Sequence, residues 1–283
     1  MPPGQAVIDR WMGAAPFWEK HRETIRRMFE PVTQALLEEI GSGRTILDVA
    51  TGPGEPALSI AAGIGSNGEV VGIDPVPEMV AAARKAADRF GLANARFEVA
   101  FADRLPFPDN TFDAVVSRFG AMFFPSPLDA IREMLRVLKP GGNLALAVWG
   151  TAESNPFFSA LSRVLEHYAG PPPPEPEALD AFRFASPGKL RGILDEAGVA
   201  APSEHLLAFT IQASISPEEF WAMRCEMSEK LRERLAMLSG EQLPEAKHRS
   251  LEVLRAYHNV SGISFPAEVL IVSGTKAASS DQL

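Results

Sequence analysis

Apolar and polar positions along this chain alternate between two periods. Apolar runs of strand length recur at Ile46 to Ala50, "EVVGID" (69–74), "ARFEVAFA" (95–102), "FDAVVSRF" (112–119) and "NLALAVW" (143–149). Between them lie segments whose apolar residues return every third or fourth position. Pro56 to Ile64 is one such segment, the alanine-rich Val76 to Phe90 is another, and "DAIREMLRVL" (129–138) carries Ile131, Leu135 and Leu138 on one face. The "KPGG" that follows is expected to stop this last helix before the next strand begins. Strands alternating with helices predict right-handed crossovers, hence a doubly wound α/β chain with a mostly parallel sheet covered on both faces.

The flanks extend this pattern. Pro2 to Glu30 reads as an amphipathic helical segment with Trp18, His21, Ile25 and Phe29 along one face. Beyond Trp149 the chain predicts helices at Asn155–Tyr168, Pro187–Gly198, Pro217–Leu238 and Pro244–Tyr257, with an extended proline-rich connector at "GPPPPEPEALD". "HLLAFTIQA" (205–213) and "AEVLIVSGTK" (267–276) supply two late strands, which brings the sheet to seven, and a polar tail ends the chain. The expected organisation is a single domain over 1–283. Its core lies at about 32–150, 185–215 and 260–277, under a helical cap from about 1–30, 151–184 and 216–259.

Composition narrows the function. With 283 residues, 46% hydrophobic and 22% charged, the chain has an ordinary globular balance and no run able to span a bilayer. A net charge of −9 argues against sequence-independent nucleic-acid binding. The N-terminus lacks the features of a secretory signal, and the single Cys225 cannot form an internal disulfide, so a cytoplasmic location is expected. No metal site is predicted, and the oligomeric state is left open.

Candidate chemistry begins at "TILDVATGPGEPALSIA" (45–61), where a strand runs into Thr51-Gly52-Pro53-Gly54 and then a helix. Gly52 and Gly54 remove the β-carbons that would keep a ligand off the backbone, at the strand end where open parallel sheets bind ligands. This turn alone is shared by nicotinamide, flavin and S-adenosylmethionine sites. Asp74, ending the second strand, can accept from both hydroxyls of a ribose. Asp48 just before the turn and Glu55 just after it would repel a pyrophosphate and attract a sulfonium with its ammonium group.

Taken together, "ILDVATGPGEPALSIA", "VVGIDPVPEMV", "FADRLPFPDNTFDAVVSRF" and "REMLRVLKPGGNLALAVW" resemble the successive motifs of class I S-adenosylmethionine-dependent methyltransferases. The resemblance is strongest to the branch that includes the ubiquinone and menaquinone biosynthesis methyltransferases, and it covers Thr45 to Trp149. It implies a Rossmann-like methyltransferase fold with S-adenosyl-L-methionine as cofactor. By position it implies cofactor contacts at Asp48, Ala50, Thr51, Gly52 and Gly54, at Asp74, Pro75 and Met79, and at Ala102, Asp103 and Arg104.

Methyl transfer demands mainly alignment and exclusion of water, with a base only where the acceptor is protonated. Trp18, Phe119, Phe123, Phe124 and Trp149, with Met122, suit a hydrophobic or aromatic acceptor. His21 is the first candidate base because it shares a helical face with Trp18 in a segment that, in relatives, closes over the cofactor. His167 and His258, beside Tyr168 and Tyr257, are the others. The expected function is methylation of an oxygen or carbon of a small metabolite. A nicotinamide-dependent oxidoreductase and a noncatalytic S-adenosylmethionine binder are the alternatives.

Overall fold

The computed structural model describes residues 3–171 and 179–278. In chain order its elements are α1 (Pro3–Met28), α2 (Glu30–Ile40), β1 (Thr45–Val49), α3 (Ala57–Ile64), β2 (Glu69–Asp74), α4 (Pro77–Phe90), β3 (Ala95–Val99), β4 (Phe112–Arg118), α5 (Pro127–Val137), β5 (Leu138–Trp149), α6 (Pro156–Ala169), α7 (Lys189–Ala197), β6 (Ala200–Ala213), α8 (Pro217–Met227), α9 (Glu229–Ala236), α10 (Gln242–Arg255), β7 (His258–Asn259) and β8 (Gly262–Thr275). The expected proline-rich connector falls mostly on residues 172–178, and the polar tail mostly on 279–283, both outside the described residues.

The sheet runs β3-β2-β1-β4-β5-β8-β6, with β7 added against β8. Strands β1 to β5 pair in parallel, and β8 lies antiparallel to both β5 and β6. The strand order reverses between β1 and β4, so the carboxyl ends of these two strands flank the crevice in which such sheets take ligands. The seven strands expected are joined by an eighth, the two-residue β7.

Three local differences from the sequence reading have physical causes. "KPGG" does not separate a helix from a strand: Leu138 already pairs with Phe112, and Lys139 to Gly142 bulge out before pairing resumes at Asn143 with Ala114. Lys139 is held there by an ion pair to Asp113 at 2.6 Å. The expected helix from Pro217 to Leu238 breaks at Ser228, whose hydroxyl caps α9 through the Leu231 amide. At the start of α8, Ser216 and Glu219 form a reciprocal capping box. The N-terminal helical segment ends at Met28, and α2, with Val32 and Leu36 fully buried, packs back on β4, β5 and β8.

Strands β6 and β8 are both longer than β5. Pairing of β5 with β8 stops at Trp149 and Val269, whereas β6 and β8 continue to Ala213 and Ile263. The unmatched part of β8, Ile263 to Glu268, therefore carries the ribbon about 20 Å past the carboxyl edge of the sheet at roughly 3.4 Å per residue. Its Phe265 packs on Phe157 of α6 and Phe220 of α8 with ring centroids 6.1 and 4.9 Å apart. Helix α1, 26 residues long, contacts α4, α8 and β6, and so bridges the crevice from one side of the sheet to the other.

Candidate functional site

A cavity of about 640 Å³ lies beneath α1 at the carboxyl ends of β1, β2 and β4. One end is built by the turn after β1. Gly52 adopts φ +56, and a β-carbon there would meet no atom within 4 Å, so its bare side faces open space. Gly54, at φ +108, has a different reason to be glycine: a β-carbon would lie 2.6 Å from Leu58, within the packing of α3. Gly54 does not line the cavity.

Two non-glycine residues of the cavity lining also take left-handed backbone, Ala50 at φ 61 and Phe119 at φ 65. They close β1 and β4, the strands that flank the reversal of strand order. A residue held in this region costs about 1–3 kcal/mol, a strain that concentrates at functional sites.

The acids divide the work. Asp74 is 7% exposed and lines the cavity, with Oδ2 accepting from the Gly52 amide at 2.9 Å and Oδ1 from the Val76 amide at 3.0 Å. Each oxygen keeps a second lone pair, and burial pushes the carboxyl up to about 6. Asp48 is fully buried behind the turn, outside the cavity lining, where its Oδ2 accepts from the Ala57 amide at 3.1 Å at the start of α3. Its Oδ1 is sealed from water without a hydrogen bond of ordinary geometry. Burial pushes Asp48 up to about 7, opposed by the Thr51 hydroxyl, Arg118 and the Ala57 amide. The expected direct contact by Asp48 is thus corrected to a place one layer behind the cavity lining.

Glu55 does line the cavity and is 8% exposed. Burial raises its carboxyl above the usual range, while Arg118 and the Ser59 hydroxyl, 2.6 Å away, oppose that rise. Arg118, at the end of β4, is the counterion the sequence reading missed. It is buried and donates to Thr33 Oγ1 at 2.7 Å; burial lowers its pKa, with Glu55 and Asp48 pulling the other way. Its only sequence signal is a lone charge closing an apolar strand.

The remaining expected cofactor residues separate cleanly. Ala50, Thr51, Pro75, Met79, Ala102 and Asp103 line the cavity, with Asp103 exposed at its rim. Arg104 is exposed and lies off the lining, because the turn at 101–104 directs it outward.

The other end of the cavity is aromatic. Phe119 stacks on Trp149 at 4.4 Å and 3°, and Trp149 meets Phe158 edge-on at 4.9 Å. Phe123 and Phe124 complete this wall, and Trp11 from α1 reaches Phe123 at 5.1 Å. Trp18 lines the cavity as well, packing beside Met79 and Val76 and edge-on to Trp11 at 5.6 Å. In the strand order β2-β1-β4-β5, about 14 Å separates the end carrying Asp74 from the end carrying Trp149, at roughly 4.8 Å per strand.

His21 is corrected. Its Nε2 lies 2.6 Å from Glu226, which also accepts from Lys20, so it ties α1 to α8 outside the cavity lining. His167 rests edge-on against Tyr168, and His258 is exposed in β7; neither lines the cavity, nor do Tyr168 and Tyr257. Among the described residues no cluster of three potential metal ligands occurs, and no helix is long and apolar enough to cross a membrane.

Comparison with known proteins agrees with this geometry. Residues 46–142 match a methyltransferase domain family. The ubiquinone/menaquinone biosynthesis C-methyltransferase UbiE of Azotobacter vinelandii is 37% identical over 134 residues, covering 47% of this chain and 51% of the relative. The chain thus spans about half the length of the curated relatives it matches. Among solved structures, the YcgJ protein of Bacillus subtilis superposes with a TM-score of 0.56 at 22% identity, over 89% of this chain and 99% of that one. The [4+2]-cyclase SpnF superposes with a TM-score of 0.53 at 20% identity, over 95% and 97%. Both likenesses establish the fold, and the second shows that this fold carries more than one chemistry.

Proposed function

We propose that this chain, with its methyltransferase domain at 46–142 set in a class I Rossmann-like fold, transfers a methyl group from S-adenosylmethionine to a small hydrophobic or aromatic metabolite. The observation that carries the reading is a single cavity with two unlike ends, a bare acidic turn and an aromatic wall. The donor, when bound, supplies a methyl group on a positively charged sulfur.

The residues present fit that donor. Gly52 leaves its ligand side open, Asp74 offers two lone pairs, and Glu55 and the buried Asp48 give the turn a negative potential that Arg118 only partly offsets. The backbone of Ala50 to Gly52 would hold the amino-acid portion and Asp74 the ribose. Ala102 and Asp103 would meet the base, and Met79 would pack against it. A dinucleotide fits poorly: the Ala57 amide at the start of α3, which a pyrophosphate would use, is already taken by Asp48.

The protein's contribution to rate is alignment and dryness. The aromatic wall and α1 exclude water and hold the acceptor toward the turn, effects that together can supply several kcal/mol. No His, Lys, Tyr or Cys is among the described residues lining the cavity.

Titration calorimetry tests the reading. S-adenosylhomocysteine should bind and NADH should not; the reverse result removes the proposal. Methyl-labelled donor incubated with a metabolite extract should then yield a labelled small molecule by mass spectrometry. Tight binding with no labelled product from any extract would mark a noncatalytic binder or a chemistry like that of the cyclase neighbour.

A further inference from the structure

Three arginines line the cavity. Arg22, half-buried on α1, lies over the ring of Phe90 at 5.5 Å. Arg118 is hydrogen-bonded to Thr33 and sits in the field of Glu55 and Asp48. Arg224, half-buried on α8, has neither kind of support among the described residues. Its guanidinium lies over the rings of Phe157 and Phe158, 4.5 and 5.0 Å from their centroids. Its Nε is sealed from water without a hydrogen-bond partner. The neighbouring acid, Glu226, is turned to the opposite side and engaged by Lys20 and His21. Burial lowers the Arg224 pKa only to about 10, so the group remains charged at neutral pH.

A cation drawn out of water with no ion-pair partner is costly, and aromatic faces offset only part of that cost. Such a site is organised for an anion that arrives from outside. Arginine's planar fork matches a carboxylate through two parallel N–H donors, and the flat rings beside it match an aromatic body. We infer that the methyl acceptor is an aromatic or similarly flat carboxylic acid, its carboxylate paired with Arg224 and its body set against Phe157, Phe158 and Trp149. This deepens the methyltransferase reading and rests on it for the word acceptor. The recognition itself needs only the cavity.

The experiment uses a matched pair of probes, 2-naphthoate and 2-naphthamide, which share shape and differ in charge. Each is titrated into the full chain saturated with S-adenosylhomocysteine, by calorimetry and by quenching of tryptophan fluorescence. The wild type should bind the acid at least about tenfold more tightly than the amide. Arg224→Met should erase that ratio by weakening the acid about 10- to 100-fold. Arg224→Lys should restore part of it, as a point charge without the fork. Affinity for S-adenosylhomocysteine should stay within about threefold in both variants, which reports an intact fold. Should Arg224→Met fail to fold, the wild-type ratio and Arg224→Lys still decide the matter.

Equal affinity for acid and amide in the wild type overturns the inference. So does failure of both probes to bind at 1 mM, or a preference that survives in Arg224→Met. Loss of S-adenosylhomocysteine binding in the wild type would instead overturn the methyltransferase reading, and a preference for the acid would then stand without it.

Discussion

Asp48 offers the sharpest test of how the site is built, because its carboxylate is fully enclosed behind the turn with one oxygen unbonded. The substitution Asp48→Asn keeps the shape and lets the side-chain oxygen still accept from the Ala57 amide, so the anchor of α3 survives. Only the charge is removed. Burial raises the carboxyl from its ordinary 3.8 to about 7, which at 1.36 kcal/mol per tenfold change corresponds to about 4 kcal/mol. Because the folded pKa is the higher one, the native state binds the extra proton. Stability is therefore full below about pH 4, is lost as pH rises toward 7, and is constant above it. Guanidinium denaturation from pH 4 to 8.5 should show the variant matching the wild type at the acid end and exceeding it by up to about 4 kcal/mol at pH 8. The same variant should bind S-adenosylmethionine, whose sulfonium the acids attract, about tenfold more weakly at pH 8, since the turn has lost the charge of one of its two acids. A stability difference flat across this range, or a variant less stable at pH 8, would refute the account of Asp48 as a buried charge that costs stability.

Further outcomes follow from individual contacts. Asp74→Asn leaves one acceptor oxygen for two backbone donors, so calorimetry should show S-adenosylhomocysteine affinity reduced about 10- to 100-fold, with stability lower by about 1–3 kcal/mol; unchanged affinity would remove Asp74 from the ligand site. Ala50→Gly relieves a left-handed alanine and should raise thermal stability by about 0.5–1 kcal/mol, whereas a loss would show that the backbone there is unstrained. His21→Ala should leave turnover of an identified acceptor within about twofold and cost at most about 1 kcal/mol, as for a partly exposed ion pair. A hundredfold fall in kcat at unchanged KM would restore His21 as a base.

The periodicities of 2 and 3.6 are local properties of the chain, so the order of strands and helices, the mostly parallel sheet and the glycine turn at a strand end were all legible without coordinates. Asp74 was legible for the same reason: strand, turn and acid follow one another at a spacing the crossover fixes. Boundaries were less so where a single side chain decides them, as Ser228 does by capping α9 and as Lys139 does by pinning a bulge to Asp113.

What the sequence by itself determined is therefore the architecture and the framework of the glycine turn and its acids. Tertiary structure decided which way each side chain of that framework looks. Trp18 and His21 share a helical face, yet one enters the cavity and the other meets Glu226, because α1 lies between α4 and α8. Asp48 and Glu55 flank the same turn, yet only Glu55 reaches the cavity. Arg118 and Arg224 come from segments far apart in the chain; the apolar strand that Arg118 closes is its one sequence signal, and nothing near Arg224 in sequence announces that it lines the cavity. Burial and pairing of charge depend on which distant elements pack together, and that information is not local to any stretch of the chain.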